Sequence, residues 1–348
     1  KHFAEMVSVS TTNDSKQASS LSKHFAEMVI LIRPTNFCTN LETLEDNKYM
    51  VHKEDEHSKA AEEEFDRLVH NLNSHQVTTL VFHQTHIQAT DSVFPNNWFS
   101  THNSEVVEGG LFILYPMKSK LRRLERNPLI IDLLKKKYKH FIDLTYLEEQ
   151  GEYLESTGSL IFNYEEKTVY CSVSERASDK ALDVFIEEFN AVLTEKFELI
   201  RFRSYDKENT LIYHTNCMMS VLDKYILLCK EIVCFCSSGS CNINNNSNSE
   251  CRKNCEEKLN SILSKSRKEV VNLSYDELLG FSANCLNVRN SVNESKLIIS
   301  KSGYLAMQKK NSEALAKIER DCDVIVTDLS NIEKIGGGSA RCMVAEVF

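Results

Sequence analysis

Glycine and proline are scarce in this chain. Its 348 residues contain 10 Gly and 4 Pro, against roughly 24 and 17 for ordinary usage. Most turns are therefore made without the residues that make turns easy, and the few Gly and Pro should mark places where the backbone has little choice. An excess of positive charge is also missing. The 41 Lys+Arg face 50 Asp+Glu, for a net charge of -9 and a pI of about 5.7. That balance argues against bulk nucleic-acid binding, which leans on cationic surface. No apolar run approaches the ~18–20 residues needed to cross a bilayer. The first residues lack the continuous apolar stretch of a signal peptide.

At 42% hydrophobic and 26% charged residues, the composition is that of a folded globular protein. The chain is long enough to bury one large core or two ordinary ones. Twelve Cys without an export signal read as cytosolic thiols, so a cytoplasmic protein is expected. The segment KHFAEMV occurs twice, at Lys1–Val7 and Lys23–Val29, around a Ser/Thr/Asn-rich stretch. One repeat does not make a solenoid. Residues 1–28 are read as a tail and 29–348 as the catalytic fold.

Beyond the tail, strand and helix patterns alternate. Strands are expected at Val29–Arg33, Val77–His83, Val106–Tyr115, Ser159–Asn163, Lys167–Ser172, Leu199–Arg203, Leu211–Tyr213, Tyr225–Leu228, Glu269–Asn272, Lys296–Ser300 and Val324–Thr327. Helices are expected at Ser58–His75, Lys118–Tyr138, Ser178–Lys196, Glu250–Ser264, Ser274–Phe281 and Asn311–Asp321. The alternation recurs about five times, which implies an α/β protein of similar strand–strand–helix–strand units. The segment SSGSCNINNNSNSE, Ser237–Glu250, breaks the rhythm and is expected to be a disordered insertion near 236–250.

Four places carry possible chemistry. Gly336–Gly338 precede Cys342, with Arg341 beside it, as expected for a small-residue loop delivering a reactive thiolate. In LESTGS, Glu155 sits at a strand entrance, where a carboxylate can orient a base. In LIYHTNCM, His214 and Asn216 are two apart and would share a face on a strand; His is the natural acid/base near neutral pH. In DSVFPNNWF, Asn96 and Asn97 could hold a planar polar ligand against Trp98. Each signal alone has a plainer reading: a tail, a turn, a core His, a packed Trp. Together they suggest a nucleophile, its base and an orienting carboxylate.

FPNNWF, LESTGS, IYHTNCMM and GGGSARCM, in that order, resemble the guanidino-group-modifying superfamily. Its members include arginine deiminase, dimethylarginine dimethylaminohydrolase, succinylarginine dihydrolase and the amidinotransferases. VILIRPTNF is similar to the opening strand of an amidinotransferase-like, citrulline-utilisation branch. The resemblance implies a five-bladed, pseudo-symmetric α/β propeller of ββαβ units, the pentein fold. It implies that Cys342 is the nucleophile, His214 the base and later acid, and Glu155 the supporting carboxylate. Asn97 and Asn216 match substrate-clamping positions, and Arg176 matches an Arg that grips a substrate carboxylate.

Both clamping positions hold amides where deiminases hold carboxylates, which turns the expectation towards a dihydrolase or a ureido substrate. The reading is thus a Cys-dependent hydrolase of a guanidino or ureido group, working through a thiouronium intermediate without metal or cofactor. Its expected partner is a small molecule, with no nucleic acid and no membrane, and a homodimer is left open. The alternatives are an amidinotransferase and a non-catalytic propeller with a Cys-rich binding loop. The spacings among Cys234, Cys236, Cys241, Cys251 and Cys255 match no standard zinc finger or ribbon.

Overall fold

The computed structural model describes residues 25–44, 50, 58–236 and 249–348. Most of the duplicated N-terminal segment and the core of the 236–250 insertion lie outside the described residues.

Among the described residues the strands form five small sheets. In each, one strand pairs antiparallel with a second, and the second pairs parallel with a third that returns after at least one helix. The first sheet places Met28–Arg33 between Thr78–His83, parallel to it, and Ala345–Val347, antiparallel to it. The second joins Phe99–His102, Leu111–Leu114 and His140–Asp143. The third joins Leu160–Asn163, Thr168–Ser172 and Glu198–Ser204, and Val233–Cys234 adds an edge. The fourth joins Met219–Val221, Tyr225–Leu228 and Glu269–Asn272. The fifth joins Leu286–Arg289, Ser295–Ser300 and Asp323–Thr327.

Apolar cores lie between neighbouring sheets. Ile30, Ile32 and Val347 of the first pack with Phe99, Phe112 and Leu114 of the second. Ile113 of the second meets Leu160 and Val169 of the third. Ile161 and Tyr170 of the third share a core with Ile226 of the fourth and Leu297 of the fifth. Val288 and Ile298 of the fifth pack against Val29 and Leu31 of the first, so the series returns to its start.

The helices follow local rules. Ser178 caps Asp179–Val192, its hydroxyl accepting from the Ala181 amide. That helix buries Ala181, Leu182, Phe185 and Phe189, each large apolar side chain contributing about 1.5–3 kcal/mol. The helix expected over Lys118–Tyr138 is instead two, Lys120–Arg123 and Pro128–Lys137. Pro128 cannot donate in a helix interior but fits the first turn, where Asn127 caps it.

Other boundaries also differ. Val106–Tyr115 is a strand only at Leu111–Leu114, because Gly109 and Gly110 turn the chain with positive φ. Leu211–Tyr213 keeps only the single bridge from Leu211 to Tyr205. The strands Phe99–His102, His140–Asp143, Met219–Val221 and Leu286–Arg289 and the helix Lys301–Lys310 are additional to those expected. Several of these strands are too short to show a period. No described helix is long and apolar enough to cross a membrane.

Candidate active site

The residues singled out in the sequence fall mainly at one kind of place. Each sheet has a loop leading into its antiparallel outer strand. Asn97 is two residues ahead of Phe99, Glu155 five ahead of Leu160, His214 five ahead of Met219, and Cys342 three ahead of Ala345. Asn284 holds the matching place in the remaining sheet, two residues ahead of Leu286.

Three of these loops, those of Asn97, His214 and Cys342, line a cavity of about 270 Å³, its open mouth included, while Glu155 and Asn284 stand behind it against His214 and the Cys342 sulfur. Cys342, His214, Asn97, Arg122, Arg176 and Asp91 line it, with Phe94 and Tyr213 among its walls. A larger cavity, about 750 Å³, lies near Phe25, Tyr138 and Phe348. It contains no Cys or His, so volume alone does not choose the site.

Glu155 is fully buried and precedes the single helical turn Ser156–Ser159. One carboxylate oxygen lies 2.7 Å from Nε2 of His214; the other accepts from the Lys118 amide at 3.2 Å. Arg176 and Arg122 stand 3.6 and 3.7 Å away. Burial pushes the carboxyl pKa up, but Arg176, the His214 hydrogen bond and Arg122 together outweigh it and hold it well below the usual carboxylate range. Glu155 is therefore an anion.

His214 begins the 3₁₀ turn Thr215–Cys217 rather than lying on a strand. His214 and Asn216 consequently do not share a sheet face. Burial lowers the imidazole pKa more than Glu155 raises it, and the two arginines lower it further. The resting ring is neutral, with its Nε2 proton directed to Glu155.

Cys342 is buried just past the helix Ser330–Gly336. Its sulfur accepts from the side-chain amides of Asn216, at 3.4 Å, and Asn284, at 3.3 Å. A thiolate accepts such bonds better than a thiol. Arg341, expected to support the thiolate, turns away: it donates to the Val344 carbonyl and pairs with Glu346 at 2.7 Å. Burial pushes Cys171, Cys217, Cys229 and Cys285 up to about 12, as inert packing thiols.

The glycines near the cavity are explained by space. A Cβ on Gly158 would stand 2.3 Å from Asn97 Nδ2 and 3.0 Å from the His214 ring. Cβ atoms on Gly336 and Gly338 would meet the Phe94 ring at 2.6 and 2.8 Å. Gly337 ends the helix with φ of 64°, the left-handed region.

The family model for the eukaryotic N,N-dimethylarginine dimethylhydrolase matches residues 33–348. The chain belongs to that family. The match falls on the dimethylarginine member of the superfamily that the four motifs resemble. A comparison with curated proteins finds no match.

Solved structures resemble this dimethylarginine dimethylhydrolase family member in fold. One is apo ArgZ, an arginine dihydrolase from the ornithine-ammonia cycle in cyanobacteria, with a TM-score of 0.65 and 16% identity over 92% of this chain. The chain spans 40% of that ArgZ chain but 97% of its N-terminal domain, solved with a covalently bound reaction intermediate (TM-score 0.64, 15% identity, 92% of this chain). Another is a Cys-to-Ser variant of the dimethylarginine enzyme from Pseudomonas aeruginosa complexed with citrulline (TM-score 0.62, 15% identity, covering 93% of this chain and 100% of that one).

The other expected site residues divide. Arg176 lines the cavity and lies over the Tyr213 ring, 4.6 Å from its centroid. Asn97 lines it too; its Oδ1 accepts from Arg122 at 2.9 Å, while its buried Nδ2 meets no acceptor. Asn216 holds the Cys342 sulfur and is not among the residues lining this cavity. Asn96 is buried outside it, its carbonyl accepting from the Thr157 hydroxyl. Trp98 is not a wall: it is fully buried in the core, 4.4 Å from Phe99 between ring centroids.

Sequence reasoning missed Asp91, Arg122 and Asn284. Asp91 Oδ2 accepts from Asn40 at 2.9 Å, and its Oδ1 has no partner. Arg122 is held by Glu125 at 2.8 and 3.1 Å.

Proposed function

We propose that this chain hydrolyses the guanidino group of an arginine-type amino acid, with Nω,Nω-dimethylarginine as the first substrate to test. The observation that carries this reading is one cavity lined by both Cys342 and a His214 that is hydrogen-bonded to buried Glu155. Family membership supports a hydrolase of C–N bonds. Asp91, Arg122 and Arg176 supply a buried carboxyl and two buried guanidinium groups in the same small space, with burial pushing the Asp91 pKa up, which suits the ammonium and carboxylate of a free amino acid.

The steps follow from the groups present. The Cys342 thiol passes its proton to neutral His214, and the resulting imidazolium is stabilised by Glu155. The thiolate adds to the guanidinium carbon. The C–N bond to dimethylamine breaks as His214 returns the proton to the leaving nitrogen. This leaves a thiouronium on Cys342. Water then adds, giving a proton to His214. The C–S bond breaks, citrulline leaves, and the thiol is restored. Dimethylarginine plus water thereby gives citrulline plus dimethylamine.

Asn97 favours a second reading. An Arg guanidinium can only donate, so Arg122 fixes the amide with Oδ1 towards itself and the Nδ2 donor left over. A donor there suits a ureido oxygen better than a guanidinium, as double hydrolysis through citrulline would require. We also read the five sheets as blades of a pseudo-fivefold α/β propeller, a reading supported by the cores that run from each sheet to the next.

Product analysis with dimethylarginine, arginine, citrulline and agmatine tests the function. Citrulline with dimethylamine from dimethylarginine is the expected result. Ornithine with two ammonia from arginine selects the second reading. No product from any of these contradicts both.

A further inference from the structure

Away from the cavity, four cysteines converge. Cys234 ends the short strand Val233–Cys234, and Cys236 follows two residues later. Cys251 and Cys255 lie one turn apart on the helix Ser249–Leu263 and so share a face. The sulfurs of Cys234, Cys236 and Cys255 lie within 4.8 Å of one another. Cys236 Sγ is 3.6 Å from that of Cys255 and 2.6 Å from that of Cys251. The Phe235 amide donates to Cys255 Sγ at 3.2 Å, and the Cys236 amide to Cys234 Sγ at 3.4 Å. The cluster packs on Tyr205, Leu211 and Phe235.

We propose that Cys234, Cys236, Cys251 and Cys255 bind one structural Zn²⁺. The donor set is four sulfurs, the soft ligands that select zinc in closed tetrahedral sites. At a Zn–S distance of about 2.3 Å, tetrahedral sulfurs stand ~3.8 Å apart. The 3.6 Å separation of Cys236 and Cys255 already meets that spacing; Cys251, against Cys236 but outside the trio whose sulfurs lie within 4.8 Å of one another, would have to shift to supply the fourth ligand. A disulfide would join only two of the four, at about 2.05 Å. The backbone amides on sulfur and the Lys258 ammonium, 4.6 Å from the Phe235 ring centroid, would offset the anionic charge of the site.

Binding forms four Zn–S bonds and releases the four thiol protons to solvent, with no change of oxidation state. Spacing alone argues against a metal, because C-x-C and C-x₃-C belong to no standard finger. The fold overrides that by setting the strand end against the helix. The site would clip together the two ends of the insertion, its binding free energy offsetting the entropy lost in bringing them together. It would also stiffen the ground under Leu211, three residues ahead of His214.

The test is metal analysis of the full chain purified without chelator, beside three variants. About one zinc per chain is expected in wild type, in Cys322→Ser and in Cys342→Ser. None is expected in the double variant Cys251→Ser/Cys255→Ser. If the double variant does not fold, alkylation of wild type replaces it: a chelator should expose these four cysteines together and lower Tm, and added Zn²⁺ should reverse both. The proposal is overturned by metal-free wild type that Zn²⁺ neither protects nor stabilises. It is also overturned by zinc that disappears with Cys342→Ser alone, or by a Cys236–Cys251 disulfide in the purified chain.

Discussion

Nε2 of His214 and the carboxylate of Glu155 are 2.7 Å apart, and both groups are shut away from water. Two cations, Arg176 and Arg122, approach the same carboxylate oxygen. Glu155 therefore both orients the imidazole and balances buried positive charge. Glu155→Gln keeps the shape but removes the charge. The expected result is a fall in kcat of about 10²- to 10⁴-fold. A lower Tm should accompany it, because the two arginines lose their common counter-ion. Steady-state kinetics with a thermal melt checks both.

Gly158 separates crowding at the site from general backbone effects. Gly158→Ala would push Asn97 and His214 aside, because its Cβ has no room. A drop in kcat/KM of about 10²-fold is expected, as for a misplacement of roughly 1 Å. Gly151→Ala is the control. It sits at φ of 70° with open space around it, so it should cost about 1–2 kcal/mol of stability and leave turnover intact.

Arg176 should matter for the amino-acid end of the substrate. Agmatine lacks the carboxylate of arginine. With Arg176→Lys the KM for the amino-acid substrate should rise about 10- to 100-fold, the worth of a charged hydrogen bond. Any activity on agmatine should change much less. Equal losses on both would move Arg176 from substrate binding to support of Glu155.

His102 sets an acid limit on stability independent of catalysis. It is fully buried among Phe162, Phe189 and Tyr164, with its ring nitrogens bonded to Ser100 and Tyr164. Burial lowers its pKa from 6.5 to about 3. The unfolded chain then binds a proton that the folded chain refuses. Stability from this group is complete above pH 6.5 and declines as pH falls towards 3. Its share of the slope is about 1.4 kcal/mol per pH unit. His102→Gln should flatten the denaturation profile between pH 6 and 4 by about that much.

Much of the candidate site was legible because its loops use residues the rest of the chain avoids. Gly158 and Gly336–Gly338 are four of only ten Gly, and each faces a ring, an amide or a left-handed turn at the site. Trp98 misled because a lone Trp reads equally well as ligand wall or core, and only packing decides. Arg341 misled because adjacency in sequence does not fix where a long side chain reaches; Glu346 holds it. Asn284 carried a signal that went unused. FPNNWF, YHTNCM and FSANCL share an aromatic residue, then Asn three positions on, then an apolar residue opening or adjoining a strand. Asp91 and Arg122 had no such signature. Their role depends on a cavity assembled from loops far apart in the chain.

The claim that Cys342 attacks the guanidinium carbon is tested most directly by acid-quenching the enzyme during turnover of dimethylarginine or arginine and mapping the peptides by mass spectrometry. The account predicts an amidino adduct on the peptide containing Cys342, absent without substrate and absent in Cys342→Ser, which should also form no citrulline. Undiminished turnover by Cys342→Ser, or an adduct on any other residue, would contradict it.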